Sequence, residues 1–320
     1  MDGTVYILYR LCIDLSTKKY YNERWINLSG TENTMNRITL KAYAKINLGL
    51  DVVRRLENGY HEVRMVMQNI DLYDKVNIYR NRTGEIKVNT NLGFLPTGPD
   101  NLVYKAAALL KDEFNIKDGV TLDLYKFIPV AAGMAGGSTD AAAVLKGMNK
   151  MFNLGLSDEE LMVRGAKLGA DIPYCIMGGT ALAEGIGEVL TKLPDCPSCY
   201  VVIGKPPISV STKYVYEHLV LDENTVHPDI DGIVDSINNG NIYGVADRLS
   251  NVLESVTETA YPIIGRIKAR MMDMGALNSI MSGSGPTVFG LFDDLEKANA
   301  CKEVLKMERL TRNTYVVGLK

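Results

Sequence analysis

The sequence predicts an α+β protein of two domains behind a short N-terminal appendage. Three observations carry this expectation. Its 320 residues are about twice a common domain length. Segments with strand periodicity and segments with helix periodicity are interleaved, with no internal repeat or low-complexity tract. From residue 200 onward the order reads β-α-α-β-β-α-β, which suggests a ferredoxin-like module.

Composition excludes several function classes. An apolar share of 46% with 23% charged residues is ordinary globular usage, not that of a disordered, collagen-like or disulfide-stapled chain. Lys and Arg number 35 against 38 Asp and Glu, a net charge of −3. No basic field exists to grip nucleic acid, so an anionic ligand must be held by local donors. The cysteines Cys12, Cys175, Cys196, Cys199 and Cys301 are odd in number and sparse, which is no disulfide framework. Cys196-Pro197-Ser198-Cys199 has metal-clip or redox spacing but no second pair, and His61, His218 and His227 supply no matching ligand set. A structural turn is the preferred reading over a zinc or redox site. No run of 18 uncharged apolar residues occurs, so no membrane span is expected. The start Met1-Asp2-Gly3, with Arg10 breaking a short apolar run, is a poor signal peptide. A cytoplasmic compartment is expected.

Residues 1–34 are rich in Tyr, Asn and Lys without a clean period, and Met35-Asn36-Arg37-Ile38 reads as a fresh start. They are either an appendage outside the core fold or an extra first strand. Ile46, Leu48, Leu50 and Val52 alternate with other residues, a period-2 strand. Strands are expected at 63–70, 76–79, 85–88 and 120–127. Asn101 is placed to cap a helix with Val103, Ala106, Ala107 and Leu110 on its apolar face. Ser157 and Glu160 form a capping-box pattern for a further helix, with Gly169 as its expected C-cap. The punctuation at Pro194 and Pro197 divides a domain at 35–194 from one at 195–320. In the second, helices are expected at 211–219, 241–274 (broken at Pro262) and 295–307, and strands at 200–203, 279–281, 288–291 and 315–319.

The strongest local signal is Pro129-Val130-Ala131-Ala132-Gly133-Met134-Ala135-Gly136-Gly137-Ser138-Thr139. It follows a strand and precedes Ala141, Val144, Leu145, Met148 and Phe152, spaced along one helix face. Small residues let a ligand approach the backbone, and the first turn of a helix carries unpaired N–H groups and partial positive charge. Together they make a phosphate cradle. Ser138 and Thr139 add hydroxyls able to cap the helix or reach a magnesium ion. Taken alone, the segment is equally a glycine-rich turn. It is no Walker A loop, because no Gly-Lys-Ser/Thr closes it.

Four further constellations stand out. Lys45 lies in the apolar strand Ala42-Tyr43-Ala44-Lys45-Ile46-Asn47-Leu48, either snorkelling at its end or held for a purpose. Asn58-Gly59-Tyr60-His61 sets an aromatic ring beside an imidazole, suited to holding a nucleobase or merely to starting a strand. Asp171, in Gly169-Ala170-Asp171-Ile172-Pro173, is a turn acceptor or a catalyst. Ser282-Gly283-Ser284-Gly285-Pro286 reads alone as a tight turn between strands.

In chain order, the lysine segment around Lys45, the glycine-rich loop, the Gly169-Ala170-Asp171-Ile172-Pro173 turn and the late Gly283-Ser284-Gly285-Pro286 loop resemble the GHMP small-molecule kinase superfamily, over about residues 35–320. Within it, Ala44-Lys45-Ile46-Asn47-Leu48, Asn58-Gly59-Tyr60-His61 and Met281-Ser282-Gly283-Ser284-Gly285-Pro286-Thr287 are similar to the branch that acts on a cytidine-diphosphate sugar alcohol. The resemblance implies an N-terminal domain like ribosomal protein S5 domain 2, a C-terminal ferredoxin-like domain and an active site in the cleft between them. It implies ATP-dependent phosphorylation of a hydroxyl, a step toward isoprenoid precursors by the non-mevalonate route. Lys45 and Asp171 would be the catalytic pair. Residues 129–139 would bind ATP. Asn47, Tyr60, His61 and, as the weakest carry-over, Thr212 would face the substrate. Mg²⁺ would come with ATP, with Ser138 as a protein ligand and no protein-only cage. The implied partners are small molecules, without nucleic acid or membrane, on a monomer or homodimer. The loop departs from the family's usual Gly-Gly-Leu-Gly-Gly-Gly-Ser-Ser in carrying Ala132, Ala135 and Thr139. Rival readings are a homoserine, mevalonate or galactose-type kinase, a catalytically silent nucleotide-binding protein, and a metal-thiol protein built on Cys196 and Cys199.

Overall fold

The computed structural model describes residues 35–320, so the expected appendage at 1–34 lies outside the described residues. Its frame is a long hairpin. β1 (Arg37–Arg55) and β2 (His61–Asn81) run antiparallel, closed by a turn in which Leu56 and Tyr60 share a backbone hydrogen bond and Gly59 takes φ 86°. Strands were expected at 63–70 and 76–79. A single strand joins them, because both edges of β2 are occupied: β1 lines one along its length. The other edge is divided between two later strands.

β3 (Ile86–Thr90) crosses through α1 (Leu102–Glu113) to a parallel partner, β4 (Gly119–Tyr125), which pairs antiparallel with residues 75–81 of β2. Asn101 accepts a hydrogen bond from Val103 and caps α1. Then come α2 (Gly136–Met151), α3 (Asp158–Ala166) and α4 (Ile172–Met177). The Ser157–Glu160 capping box is present on α3. Its C-cap is Lys167, not Gly169, which instead bonds back to the Gly165 carbonyl. β5 (Thr180–Glu184) pairs with residues 65–68 of β2 and with β6 (Val189–Lys192).

The four helices bury one face of this sheet. Val144, Leu145 and Met148 of α2 are fully buried against Val76, Ile78 and Leu122. Each such side chain contributes about 1.5–3 kcal/mol. The approach is close: a methyl on Gly147 would come within 2.4 Å of Ile78 Cδ1.

The second half builds a four-stranded antiparallel sheet from β7 (Tyr200–Lys205), β9 (Asn278–Met281), β10 (Val288–Phe292) and β11 (Asn313–Gly318), ordered β11-β7-β10-β9. That order, with α10 (Leu295–Met307) before the last strand, is the expected ferredoxin-like arrangement. Helices α5 (Thr212–His218), α6 (Ile230–Asn238), α7 (Ile242–Asp247), α8 (Glu254–Ala260) and α9 (Ile263–Asp273) fill the long excursion between β7 and β9. The helical run expected from 241 to 274 is therefore three helices, interrupted by β8 (Ser250–Asn251). β8, although it comes from the second half, belongs to the first sheet and pairs parallel with Gly49 and Leu50 of β1.

Met35–Lys320 form one compact unit. One core joins Ala44, Ile46 and Leu48 of β1 to Val201 and Ile203 of β7, to Ile230, Ile233 and Ile237 of α6, and to Phe289 of β10. Cys196 and Cys199 are buried in the same core, and burial pushes both thiols up to about 12. Among the described residues no helix is long and apolar enough to cross a membrane.

Candidate active site

The glycine-rich loop leaves β4 and enters α2 through three left-handed residues: Ala131 at φ 51°, Gly133 at 71° and Ala135 at 53°. Ala135 is the α2 N-cap, and no side chain caps the helix. The expected Ser138 or Thr139 cap is thus absent because both lie inside the first turn. The first helical hydrogen bond runs from Thr139 N to Ala135 O. The N–H groups of Gly136, Gly137 and Ser138 therefore have no partner within the helix. Ala132 and Met134 are buried and anchor the loop, Pro129 is half-buried, and Val130 and Ala131 face solvent. Ser138 is half-buried, whereas Thr139 is buried beside the Cys175 thiol.

β1 passes directly beneath this loop. The Lys45 amide donates to the Met134 carbonyl at 3.3 Å. Register shifts between Tyr43 and Lys45 and between Asn47 and Gly49 turn this stretch of β1. Lys45 is 6% exposed, and its ammonium donates to the Asn47 amide oxygen at 2.7 Å. It is held inside the protein and does not snorkel. Asn47 in turn donates to Met65 Sδ.

Asp171 is the N-cap of α4, with Pro173 in the first turn, and its carboxylate caps nothing. The turn-acceptor role weighed from sequence is therefore not taken, and the side chain is left half-buried and available. Lys45 and Asp171 share a neighbour. Burial pushes the Cys175 thiol well above its ordinary range, Asp171 pushes it further, and Lys45 opposes. Asp171 also acts on Tyr216 of α5, whose hydroxyl burial raises to about 12 with the carboxylate adding.

Tyr216 closes the other side. The His61 ring, at the start of β2, lies 5.0 Å from the Tyr216 ring at 41°. Sequence reading paired His61 with Tyr60; instead Tyr60 stands 60% exposed on the hairpin turn and Tyr216 is the ring beside the imidazole. One turn back on α5, Thr212 shares a hydrogen bond with Ser284 at 2.8 Å. The loop at 282–286 is therefore more than a turn. Ser282 donates to the Gly133 carbonyl at 3.0 Å, and a methyl on Gly133 would sit 2.3 Å from the Ser282 carbonyl. Asn251 of β8 holds this loop through the carbonyls of Met281 and Gly283, each at 2.8 Å.

Sequence reasoning did not single out Tyr216, Ser284 or Asn251. Ser284 lay inside the 281–287 motif without a role of its own, and Tyr216, four residues past Thr212, shares its helix face.

The free N–H groups at the start of α2, a buried ammonium, a carboxylate that caps nothing and an imidazole beside a ring are linked here by contacts, a donor set suited to small-molecule phosphoryl transfer. Residues 101–179 match the GHMP kinases N terminal domain and residues 227–308 the GHMP kinases C terminal domain. The chain belongs to the GHMP kinases, and its fold is their two-domain α+β fold. Its relatives narrow the class. It is 55% identical to the 4-diphosphocytidyl-2-C-methyl-D-erythritol kinase of Lachnospira eligens, over 88% of this chain and 98% of that protein. It is 51% identical to the like-named kinase of Clostridium beijerinckii, over 83% and 95%. A crystal structure of 4-(cytidine 5'-diphospho)-2C-methyl-D-erythritol kinase superposes at TM-score 0.76 with 29% identity, covering 88% of this chain and 99% of that one. The homoserine kinase of Cytophaga hutchinsonii superposes at 0.74 with 18% identity over 93% and 97%, a likeness of fold alone.

Proposed function

We propose that this chain transfers the γ-phosphoryl group of ATP to the 2-hydroxyl of 4-diphosphocytidyl-2-C-methyl-D-erythritol, in the non-mevalonate route to isoprenoid precursors. The carrying observation is the 55% identity along nearly the whole of a kinase so named. The site supports it. Residues 35–194 supply the nucleotide side and residues 195–320 a ferredoxin-like wall that carries Thr212 and Tyr216.

In this reading the ATP phosphates rest on the N–H groups of Gly136, Gly137 and Ser138 at the positive end of α2. The cytosine base lies against His61 and Tyr216, with Tyr60 closing over it from the turn. Asn47 and Thr212 hold the alcohol. The alcohol oxygen attacks the γ-phosphorus, the bond to the bridging oxygen breaks, and ADP leaves. Asp171 orients the hydroxyl and takes its proton. Lys45 offsets the charge that develops on the phosphoryl oxygens.

Mg²⁺ fits this donor set. Ser138 offers a hard oxygen in the first turn of α2, and Mg²⁺ is commonly bound by a few protein oxygens plus substrate phosphates. Ser138 would hold it with the phosphates, and when bound it supplies charge neutralisation on the phosphate oxygens.

The test is an ADP-release assay of the full chain on the cytidyl-diphospho alcohol, homoserine and mevalonate. The first is expected to be turned over far faster. Comparable rates on the other two, or none on the first, overturn the substrate assignment.

A further inference from the structure

Lys126 lies just past the end of β4, outside every motif that the sequence presents. Its side chain is 5% exposed. The ammonium forms an ion pair with Asp74 of β2, donates to Asp140 Oδ2 of α2 at 2.6 Å, and reaches the Gly136 carbonyl at 3.3 Å. Asp74 is fully buried, and its second oxygen accepts from the N–H groups of Phe127 and Ile128, the latter at 2.8 Å. Asp140 is 2% exposed and sits one helical turn past Gly136. Its other oxygen, Oδ1, is buried with no hydrogen-bond partner.

Three parts of the phosphate cradle meet at this one ammonium: the chain leaving β4, the first residue of α2 and the turn after it. The fit is tight. A methyl on Gly136 would come 3.1 Å from Ile128 Cγ2 and 3.3 Å from Lys126 Nζ. Burial raises the Asp140 carboxyl well above the usual range, with Lys126 opposing and Asp74 adding. Burial also works against the Lys126 ammonium, yet Asp140 and Asp74 outweigh it and lift it. Two acids and one base sealed from water are a poor way to gain stability, since apolar residues of similar volume do as well or better. What such a cluster supplies that apolar packing does not is a directional fix.

We propose that Lys126 is a positioning residue for phosphoryl transfer: tied to Asp74 and Asp140, it sets the spacing between the β4 exit and the first turn of α2, and so the aim of the Gly136, Gly137 and Ser138 N–H groups at the ATP phosphates. This rests on the kinase reading above. It goes beyond it in naming a residue that acts through the cradle and not on substrate.

The test uses the full chain and three measurements: titration with a non-hydrolysable ATP analogue and Mg²⁺, the KM values for ATP and for the alcohol, and thermal melting. Lys126→Met is expected to weaken analogue binding and raise the ATP KM about tenfold or more, since small misplacements of a binding group are costly. The alcohol KM should move less than twofold, whereas the melting temperature should fall, because two buried carboxylates lose their cation. Asp140→Ala, which cuts the tie on the α2 side only, should do the same more mildly. The double variant should be no worse than Lys126→Met alone, because the two changes act on one linkage. If Lys126→Met fails to fold, Asp140→Ala and Asp140→Asn carry the test; Asn keeps an oxygen for the ammonium and should restore analogue binding lost in Ala. Unchanged analogue affinity in both Lys126→Met and Asp140→Ala overturns the proposal, as does an equal loss for both substrates in step with the melting temperature. Wild-type protein that binds the analogue but phosphorylates none of the alcohols refutes the substrate reading alone, and the titration still decides Lys126. Wild-type protein that binds no analogue refutes both.

Discussion

In the proposed reaction Asp171 and Lys45 divide the chemistry between them, and their variants should differ. Asp171→Asn keeps the shape but cannot take a proton. Turnover is expected to fall by about 10² or more while ATP affinity is spared. Near-normal turnover would remove Asp171 from the reaction. Lys45→Ala should lower kcat and kcat/KM together, the mark of a contact that matters most in the transition state. A rise in ATP KM with kcat intact would make it a binding residue instead. His61 adds a pH dependence. Burial, with Arg55 adding, lowers its imidazole below the ordinary range. The ring is thus neutral at pH 7 and offers one acceptor nitrogen. The alcohol KM should rise as pH falls through that lowered value, with protonation removing the acceptor. By the same sign, the folded protein binds fewer protons here than the unfolded chain, so stability from this ring is present above the unfolded value and is lost on acidification. A flat alcohol KM from pH 7 to pH 5 would show that the imidazole leaves the base untouched. Lys45, Asp171 and His61 stood out in the sequence as candidates because each sits in a short motif. Lys126, Asn251 and Ser284 were not readable as site residues. Their contacts are with segments 14 to 72 residues away.

At the scale of elements, the loop into α2 is the sensitive part. Gly133 needs its φ of 71° and has a backbone carbonyl where a Cβ would go. Gly59 has φ 86° but open space around it. Gly133→Ala therefore carries strain plus a clash, and should cost activity about 10²-fold through a displaced cradle. Gly59→Ala carries strain alone, about 1–2 kcal/mol, read as a shift in melting temperature with ATP KM unchanged. Equal effects from the two would mean that the contact with Ser282 is dispensable. The elements themselves were largely legible where periodicity was strong, as for α1, α2 and α10. They were less so at 241–274, where two residues of β8 owe their strand form to a partner in β1. No local pattern records such a debt.

For the whole molecule, the decisive fact is that the halves share one core. Ala44, Ile46 and Leu48 are covered by residues that come after position 195. Residues 35–194 expressed alone should therefore expose an apolar sheet face, bind an environment-sensitive hydrophobic dye and aggregate. A soluble, cooperatively melting fragment would show that this core is not shared in the way described. The two-domain class was legible from element order, whereas the shared core and the strand lent across it were not.

That lent strand bears on how the chain is made. While a ribosome is still working through the middle of the message, β1 already exists, but the pair of residues that completes its edge is some 200 codons downstream. The nascent protein must wait with that edge and the apolar face beside it unsheltered. This is the interval in which a holding chaperone has most to do, and in which slowing translation after residue 194 would do most harm.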